Sequence, residues 1–333
     1  CIAYGCLLGN GLPLRATFII DKEGIVRCEM KNDIPLGRGP EEVLRLLDAL
    51  AFHQASVAEG HGMVCPASWK KGQKGMLPNV QGMVNYIRAS RDDPKIIDLA
   101  KKAKPGWFSF EYFPPKSSEG IINLHKRIQR MKNCGPLFVD FTWGAGGSTS
   151  ELTCELTDSA KNEHGCVANM HITCTNLKAE MVGEALRKCK QVGVRNILAL
   201  RGDPPRGEEK WEATEGGFDN ALDLIKYTRT HFGDYFGISV AGYPEGHPDA
   251  IERVDSFEDL SDAERRRARV SKDEYGQEIT TVCRDARFKQ ELEYLKEKCD
   301  AGGDFILTQT FFDVQVYVDF VKACREMGIT VPI

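Results

Sequence analysis

The stretch Asn196-Ile-Leu-Ala-Leu-Arg201-Gly202-Asp203-Pro204-Pro205, NILALRGDPP, decides the fold. Its four apolar residues, Ile197 to Leu200, suit a strand buried on both faces, the kind found in parallel sheets covered by helices. The run then stops at an Arg-Gly-Asp triplet and two prolines, which punctuate a chain leaving a strand. As a buried strand, the stretch delivers Arg201 and Asp203 to the mouth of a sheet. As an exposed loop, the triplet is an adhesion tag, and three residues alone are weak evidence. A structural ion pair capping the strand end is a third reading.

Outward from this stretch, strand-like and helix-like segments alternate. Strands are expected at Trp107–Glu111, Leu137–Thr142, Val167–Thr173, Asn196–Leu200, Gly237–Gly242 and Phe305–Gln309, with a seventh beginning at Val331. The first four recur about every 30 residues, the length of a βα unit. A helix over Ala179–Val192 puts Met181, Ala185, Leu186 and Cys189 on one face and stops at Gly193. Such alternation predicts a parallel α/β fold.

Each expected strand ends in a polar group: Glu111, Thr142, His171, Arg201 with Asp203, Tyr243 and Gln309. Residues from many strands converging on one mouth mark a β/α barrel. An open doubly wound sheet gathers its ligand groups near one switch point, usually with a glycine-rich first turn. Trp143-Gly-Ala-Gly-Gly-Ser-Thr149 fits neither phosphate-loop pattern. We therefore expect a (β/α)8 TIM-type barrel, incomplete at its C-terminal end. The charged segment 250–288, which carries Glu264-Arg-Arg-Arg-Ala-Arg269, is expected as an exposed loop or helix inserted at the barrel surface.

Three of the mouth residues carry chemistry of their own. Glu111 lies among aromatics in Trp107-Phe-Ser-Phe-Glu-Tyr-Phe-Pro-Pro-Lys116, where lost hydration raises a carboxyl pKa toward that of a general acid. A buried carboxylate bonded to backbone is nearly as good a reading. His171 alone reads as a satisfied core histidine as readily as a ligand. Gln309 suits bidentate recognition of an amide-like ring edge, or simply fills a polar barrel layer.

The 333 residues, 42% hydrophobic and 28% charged, are enough for one large or two ordinary domains with a sizeable core. A net charge of −4 leaves no basic footprint for nucleic acid, and no apolar run is long enough to span a bilayer. The twelve cysteines form no CxxC pair and no zinc spacing, so no metal is expected and most thiols should be free in a reducing, cytoplasmic setting. The chain starts at Cys1 and stops inside an apolar run at Ile333, which reads as a fragment or an incomplete gene model.

Texture changes near residue 90. Before it come strands at Ala16–Ile20 and Ile25–Glu29 around an Asp21-to-Gly24 turn, then a helix from Gly39-Pro40-Glu41 with Val43, Leu46, Leu47 and Leu50 at helical spacing. Residues 1–88 are read as one unit, 89–94 as a linker and 95–333 as the barrel.

The barrel residues resemble methylenetetrahydrofolate reductase. The resemblance rests on Phe108-Ser-Phe-Glu-Tyr-Phe-Pro-Pro-Lys116, Asp140-Phe-Thr-Trp-Gly-Ala-Gly-Gly-Ser-Thr149, Met170-His-Ile-Thr-Cys-Thr-Asn176, Leu198-Ala-Leu-Arg-Gly-Asp-Pro-Pro205, Gly216-Gly-Phe218, Ser239-Val-Ala-Gly-Tyr-Pro-Glu-Gly-His-Pro248 and Leu295-Lys-Glu-Lys298. It runs in order from about Lys95 to Ile333. It implies a flavin enzyme in which NADH or NADPH reduces FAD, and FAD passes hydride to methylenetetrahydrofolate to give methyltetrahydrofolate.

By that resemblance Glu111 is the acid that protonates the folate, and Asp203 is the carboxylate beside the flavin that also meets the folate ring. Gln309 matches a folate contact, and Glu111 with Lys116 meets the nicotinamide nucleotide. Thr142, Trp143, His171, Arg201, Gly202, Asp203, Asn220, Ala221, Tyr243, His247, Pro248, Asp249, Ala250, Glu291 and Lys298 match FAD contacts. Glu291 stands where an aspartate is frequent in the family. Gly303 stands where an alanine is usual, which adds backbone entropy and is expected to loosen flavin binding. A barrel without its last strands leaves open sheet edges. This chain alone is therefore expected to be inactive, with the activity in a longer parent. A homo-oligomer is expected.

The first 90 residues resemble the C-terminal half of a two-cysteine peroxiredoxin. Tyr4-Gly, Leu14-Arg-Ala-Thr-Phe-Ile-Ile-Asp21, Asn32-Asp-Ile-Pro-Leu-Gly-Arg38 and Gly62-Met-Val-Cys-Pro-Ala-Ser-Trp-Lys70 carry this likeness. It implies that Cys65 is a resolving-type thiol and Arg15 the arginine near a reactive thiolate. Without a sulfenic acid to resolve, Cys65 would act only with a complete peroxiredoxin subunit. The expected function is thus the flavin-dependent reductase, with a thiol peroxidase or a redox-inactive fusion fragment as the alternative.

Overall fold

A computed structural model describes residues 1, 3–33, 36–37, 39–73, 75–89, 91–143, 150–204, 211–273 and 275–333. The chain divides into two compact units, Cys1–Ile87 and Arg88–Ile333.

In the first unit β1 (Arg15–Ile20) pairs antiparallel with β2 (Val26–Asn32). Asp21 makes the turn, its Oδ1 accepting from Glu23 N at 3.0 Å and Ile25 N at 2.8 Å, the local bonding that suits aspartate to turns. Pro40 opens α1 (Pro40–Ala58), where its missing N–H costs nothing. Leu47 of that helix is 45% exposed, so it lies off the inward face expected for it. Trp69 is fully buried, donates from Nε1 to Gln73 O at 2.9 Å and packs 5.0 Å from the Phe52 ring. Helix α2 (Val80–Ala89) follows. Ile34, Pro35 and Arg38 of the peroxiredoxin-like motif lie outside the described residues.

The second unit begins with α3 (Ile96–Lys102). Residues 91–94, expected as linker, are bonded into this unit instead. Asp93 N donates to Gly193 O at 2.7 Å, and Pro94 O accepts from Asn196 Nδ2 at 3.1 Å. Asn196 Oδ1 also accepts from Ile96 N at 2.8 Å. One buried asparagine thereby fastens the entering chain to the bottom of the sheet, where Ile96 and Ile97 pack on Phe138 and Phe305.

Six parallel strands follow: β3 (Ser109–Tyr112), β4 (Phe138–Phe141), β5 (Ala168–Thr173), β6 (Asn196–Leu200), β7 (Gly237–Gly242) and, later in the chain, β11 (Phe305–Thr308). Their order is β11-β7-β6-β5-β4-β3, each beside the parallel strand that precedes it in the chain, as in a barrel wall. Helices α4 (Ser118–Met131), α5 (Ser150–Asn162), α6 (Ala179–Gln191), α7 (Ala221–Phe232), α9 (Asp285–Asp300) and α10 (Val314–Glu326) return the chain between or after strands. The architecture is that of an incomplete TIM-type barrel. Val331 starts no strand, although Pro332 O accepts from Ile306 N at 2.8 Å beside β11.

The main core lies between strands and helices. Met170, Ile172, Ile197, Ala199, Ile238 and Val240 meet Val182, Leu186, Leu224 and Ile225 there, each large side chain contributing about 1.5–3 kcal/mol of transfer free energy. On α6 the inward face is Val182, Ala185, Leu186 and Cys189, while Met181 is 50% exposed. The expected face was one position out at its start, because spacings of three and four both satisfy the helical period.

Segment 250–288 is neither a loop nor a lone helix. It forms β8 (Ile251–Val254), α8 (Asp262–Arg267), β9 (Arg269–Lys272) and β10 (Glu278–Cys283), an antiparallel sheet of order β8-β10-β9. Ser261 and Glu264 make a capping box at α8. The arginine run is structural: Glu264 Oε1 takes Arg284 Nε at 2.9 Å, Arg267 lies 4.2 Å over the Phe288 ring, and Arg266 reaches Asp319 at 2.5 Å. No helix among the described residues is long and apolar enough to cross a membrane.

Candidate active site

The C-terminal ends of the six parallel strands carry two groups of polar side chains. The first lies on the inner face of β3, β4 and β5, where register pairs Glu111 with Asp140 and Asp140 with Asn169. Asp140 is 2% exposed. Its Oδ1 accepts from Asn169 Nδ2 at 2.7 Å and lies 3.2 Å from His171 Nε2. Asn169 Nδ2 also approaches Ser239 Oγ of β7 at 3.4 Å. A buried carboxylate needs such donors, since an unpaired one is expensive to keep from water.

His171 is therefore not at the strand mouth. It sits two residues inside β5, buried, with Thr173 at the end. Glu111 stands on the edge strand β3 and is exposed. Lost hydration still pushes its carboxyl above the ordinary value; His171 opposes this rise and Asp140 adds to it. The neighbouring Thr142 lies just past β4, its N–H donating to Tyr112 O at 3.0 Å. Trp143 is buried, and its Nε1 has no partner among the described residues; the same holds for Thr173 Oγ1 and Asn169 Oδ1. Gly144–Thr149, the glycine-rich part of this motif, lie outside the described residues. Lys116, beyond β3 and two prolines, is exposed.

The second group surrounds the end of β6. Arg201 Nη1 meets Asp249 Oδ2 at 2.7 Å, and its guanidinium lies 5.3 Å over the Trp211 ring. Gly202 has φ +92°, and a Cβ there would fall 2.4 Å from Thr175 Oγ1 and 2.9 Å from Thr173 Cβ, so only glycine fits. Arg201 and Gly202 are thus packed at a strand end with the arginine engaged, unlike a triplet carried on a free loop. Asp203 is exposed, and Pro205 lies outside the described residues.

Around Arg201 stand Tyr243, His247, Pro248 and Asp249 from the loop after β7. The Tyr243 and His247 rings meet edge to face at 4.7 Å, and His247 Nδ1 accepts from Asp249 N at 3.1 Å. Ala250 is buried behind them. The bond to Arg201 holds the Asp249 carboxyl below its usual value. Burial pushes Tyr243 up to about 12, and burial lowers His247. Asn220 caps α7, accepting from Asp223 N at 3.1 Å, and Ala221 is that helix's buried first residue.

From α9, Lys298 is 4% exposed and donates from Nζ to Ala241 O at 2.8 Å. Burial lowers its pKa to about 8, with Cys299 and Glu291 opposing. Half-buried Glu291 is raised by the same loss of hydration. Both line a small cavity with Ala241, Gly242, Tyr243 and Phe320. Gln309 is exposed past β11, its N–H bonded to Gly242 O at 2.7 Å.

A Cβ at Gly303 would come 2.8 Å from Val240 Cγ1 and 3.1 Å from Lys298 O, so an alanine there requires the buried valine of β7 to shift.

Asp140, Asn169, Ser239 and Trp211 were not singled out from sequence. Asn169, His171 and Thr173 alternate with Met170 and Ile172, the period-two signal of a strand with one polar face. That alternation was legible and would have found the buried layer.

In the first unit Cys65 is half-buried, its Sγ 3.5 Å from Ala49 O. Burial raises its thiol, against the nearby Arg45. Among the described residues no two cysteines are joined in a disulfide.

The family described as methylenetetrahydrofolate reductase matches residues 95–333. The C-terminal domain of 1-Cys peroxiredoxin matches residues 57–82. Methylenetetrahydrofolate reductase (NADH) 1 of Zea mays is 45% identical over 239 residues, covering 72% of this chain and 36% of the maize protein. Methylenetetrahydrofolate reductase 2 of Saccharomyces cerevisiae is 42% identical over 228 residues, covering 68% and 32%. The probable NADPH enzyme of Caenorhabditis elegans is 34% identical over 235 residues, covering 69% and 30%. The chain thus spans about a third of the length of these relatives. Among solved structures, reduced Plasmodium vivax 2-Cys peroxiredoxin is 38% identical over 25% of this chain and 41% of that one, with a TM-score of 0.23.

Proposed function

Over residues 95–333 the chain belongs to the methylenetetrahydrofolate reductase family, and from that premise we propose that its strand ends bind FAD and serve the reduction of 5,10-methylenetetrahydrofolate to 5-methyltetrahydrofolate by NADH or NADPH. The observation that carries this reading is Glu111, a carboxyl of raised pKa held in register with buried Asp140 at the open end of the sheet. A carboxyl so shifted keeps a proton closer to neutral pH, as a general acid requires.

The donor set fits a flavin dinucleotide. Trp143 Nε1 and Thr173 Oγ1 are buried donors without protein partners among the described residues. Arg201 and Lys298 bring positive charge, and the capped N-terminus of α7 at Asn220 and Ala221 presents backbone N–H groups suited to an anion. When bound, FAD supplies two-electron transfer between nicotinamide and folate.

The chain's own residues do the rest. Glu111 donates a proton to the folate. Asp140 orients His171, which lies within hydrogen-bond distance of its carboxylate. Asp203 presents a second carboxylate at the end of β6, and Gln309 offers an amide donor and acceptor to a ring edge. Lys116 offers positive charge to a nucleotide phosphate.

The test separates the two half-reactions. Glu111→Gln in the parent protein expected to carry the activity, loaded with FAD, should still be bleached by the nicotinamide nucleotide under nitrogen but should no longer be reoxidised by methylenetetrahydrofolate. Equal loss of both steps would contradict the assigned proton donor.

A further inference from the structure

Between α4 and the end of α5, three metal-binding side chains come together away from the strand ends. His125 and His164 are 39 residues apart in sequence, yet His125 Nδ1 lies 3.0 Å from His164 Nε2. The Glu163 carboxylate joins them, one ligand atom from each residue lying within 4.8 Å of the others. His164 is 8% exposed, His125 is half-buried and Glu163 is exposed, so the cluster is sheltered on one side and open on the other.

The tautomers are set by neighbours. His164 Nδ1 lies 3.1 Å from Gln129 Oε1, one turn along α4 from His125. With that carbonyl accepting, the proton of His164 is on Nδ1, and its Nε2 lone pair faces His125. A second-shell bond of this kind is what orients metal-ligating histidines. Only one proton then fits between the two facing nitrogens. A divalent cation can take that proton's place, with Glu163 supplying the negative charge that favours the exchange.

Geometry permits the exchange. Two nitrogens at ~2.1 Å from one zinc ion stand about 3.4 Å apart at a tetrahedral angle, so the pair need open by only a few tenths of an ångström. The backbone is already fixed: Glu163 N and His164 N both donate to Ser159 O, at 2.8 and 3.1 Å, and Gly165 follows at φ +69°. Ser159 Oγ, 3.4 Å from His125 Nδ1, or a water completes four-coordination.

We propose that His125, Glu163 and His164 form a binding site for a divalent transition-metal ion of the zinc class, cross-linking α4 to α5. Two imidazoles and a carboxylate select such borderline ions over calcium or magnesium, which prefer all-oxygen sites. The order of the ligands along the chain explains why no spacing announced the site.

The experiment is cobalt(II) titration of chelator-treated protein, read by visible absorption and followed by zinc(II) competition. One ion per chain should bind, with a nitrogen and oxygen ligand field and no thiolate charge-transfer band, and zinc should displace it. Gln129→Leu should weaken binding about 10-fold, as loss of an outer partner does, and His125→Gln by more than that. Glu163→Gln, at an exposed position, tests the site without risk to the fold and should also lose at least ~10-fold. Absence of saturable binding, a thiolate band assigning the ion to cysteines, or unchanged affinity in Glu163→Gln would overturn the proposal.

Discussion

The carboxylate of Asp140 lies 3.2 Å from His171 Nε2, and both side chains are almost sealed from solvent. The same oxygen accepts from Asn169, so one carboxylate organises two neighbours on β5. Asp140→Ala should therefore cost about 3–5 kcal/mol, the range for breaking a buried charged partnership. Asp140→Asn, which retains one acceptor, should cost less. Urea unfolding of both variants checks this; equal and small losses would show that the buried layer contributes little.

Lys298 gives a pH prediction whose sign is fixed. Its folded pKa is about 8 against the ordinary lysine value of 10.5, so between these values the unfolded chain binds more protons. Stability must then rise with pH across that window, by at most about 3 kcal/mol. Below about pH 8 the folded and unfolded chains both hold the proton and the curve flattens. Lys298→Met should remove this rise. Unfolding free energies of both proteins at about pH 7 and about pH 10 measure it, and identical slopes would contradict the assignment.

Gly303→Ala should destabilise the fold by about 1–3 kcal/mol, as overpacking does, because its methyl would meet Val240 Cγ1 at 2.8 Å. Val240→Ala alone should also destabilise. In the double variant part of the loss should return, since the added methyl occupies space the valine vacated. Thermal unfolding of the four proteins tests the coupling. Strict additivity would mean that the two sites do not compete for space.

The strands nearest the opening stretch were legible to the residue. Asn196–Leu200 and Gly237–Gly242 were expected with the bounds they have, because apolar runs closed by Arg-Gly-Asp-Pro and Gly-Tyr-Pro leave little doubt about where a strand ends. Segment 250–288 was misread because charge dominates its composition, while its order comes from pairing of β8, β9 and β10 and from a capping box. His171 was placed at the mouth although the expected strand ran two residues further, to Thr173. Its depth follows from the pleat, which turns Asn169, His171 and Thr173 to one face together. Asp140 drew no notice because a lone acid in Phe138-Val-Asp-Phe141 shows neither partner; both come from the next strand. His125 and His164 met the same obstacle across two helices.

The central claim is that the strand ends hold a flavin that a nicotinamide nucleotide reduces. The direct measurement is the visible spectrum of the purified parent protein expected to carry the activity, saturated with FAD and freed of excess, before and after NADH or NADPH under nitrogen. We expect a bound flavin band that at least one nucleotide bleaches, and weaker retention of flavin in Arg201→Ala. A colourless protein, or a bound flavin that neither nucleotide bleaches, would contradict the account.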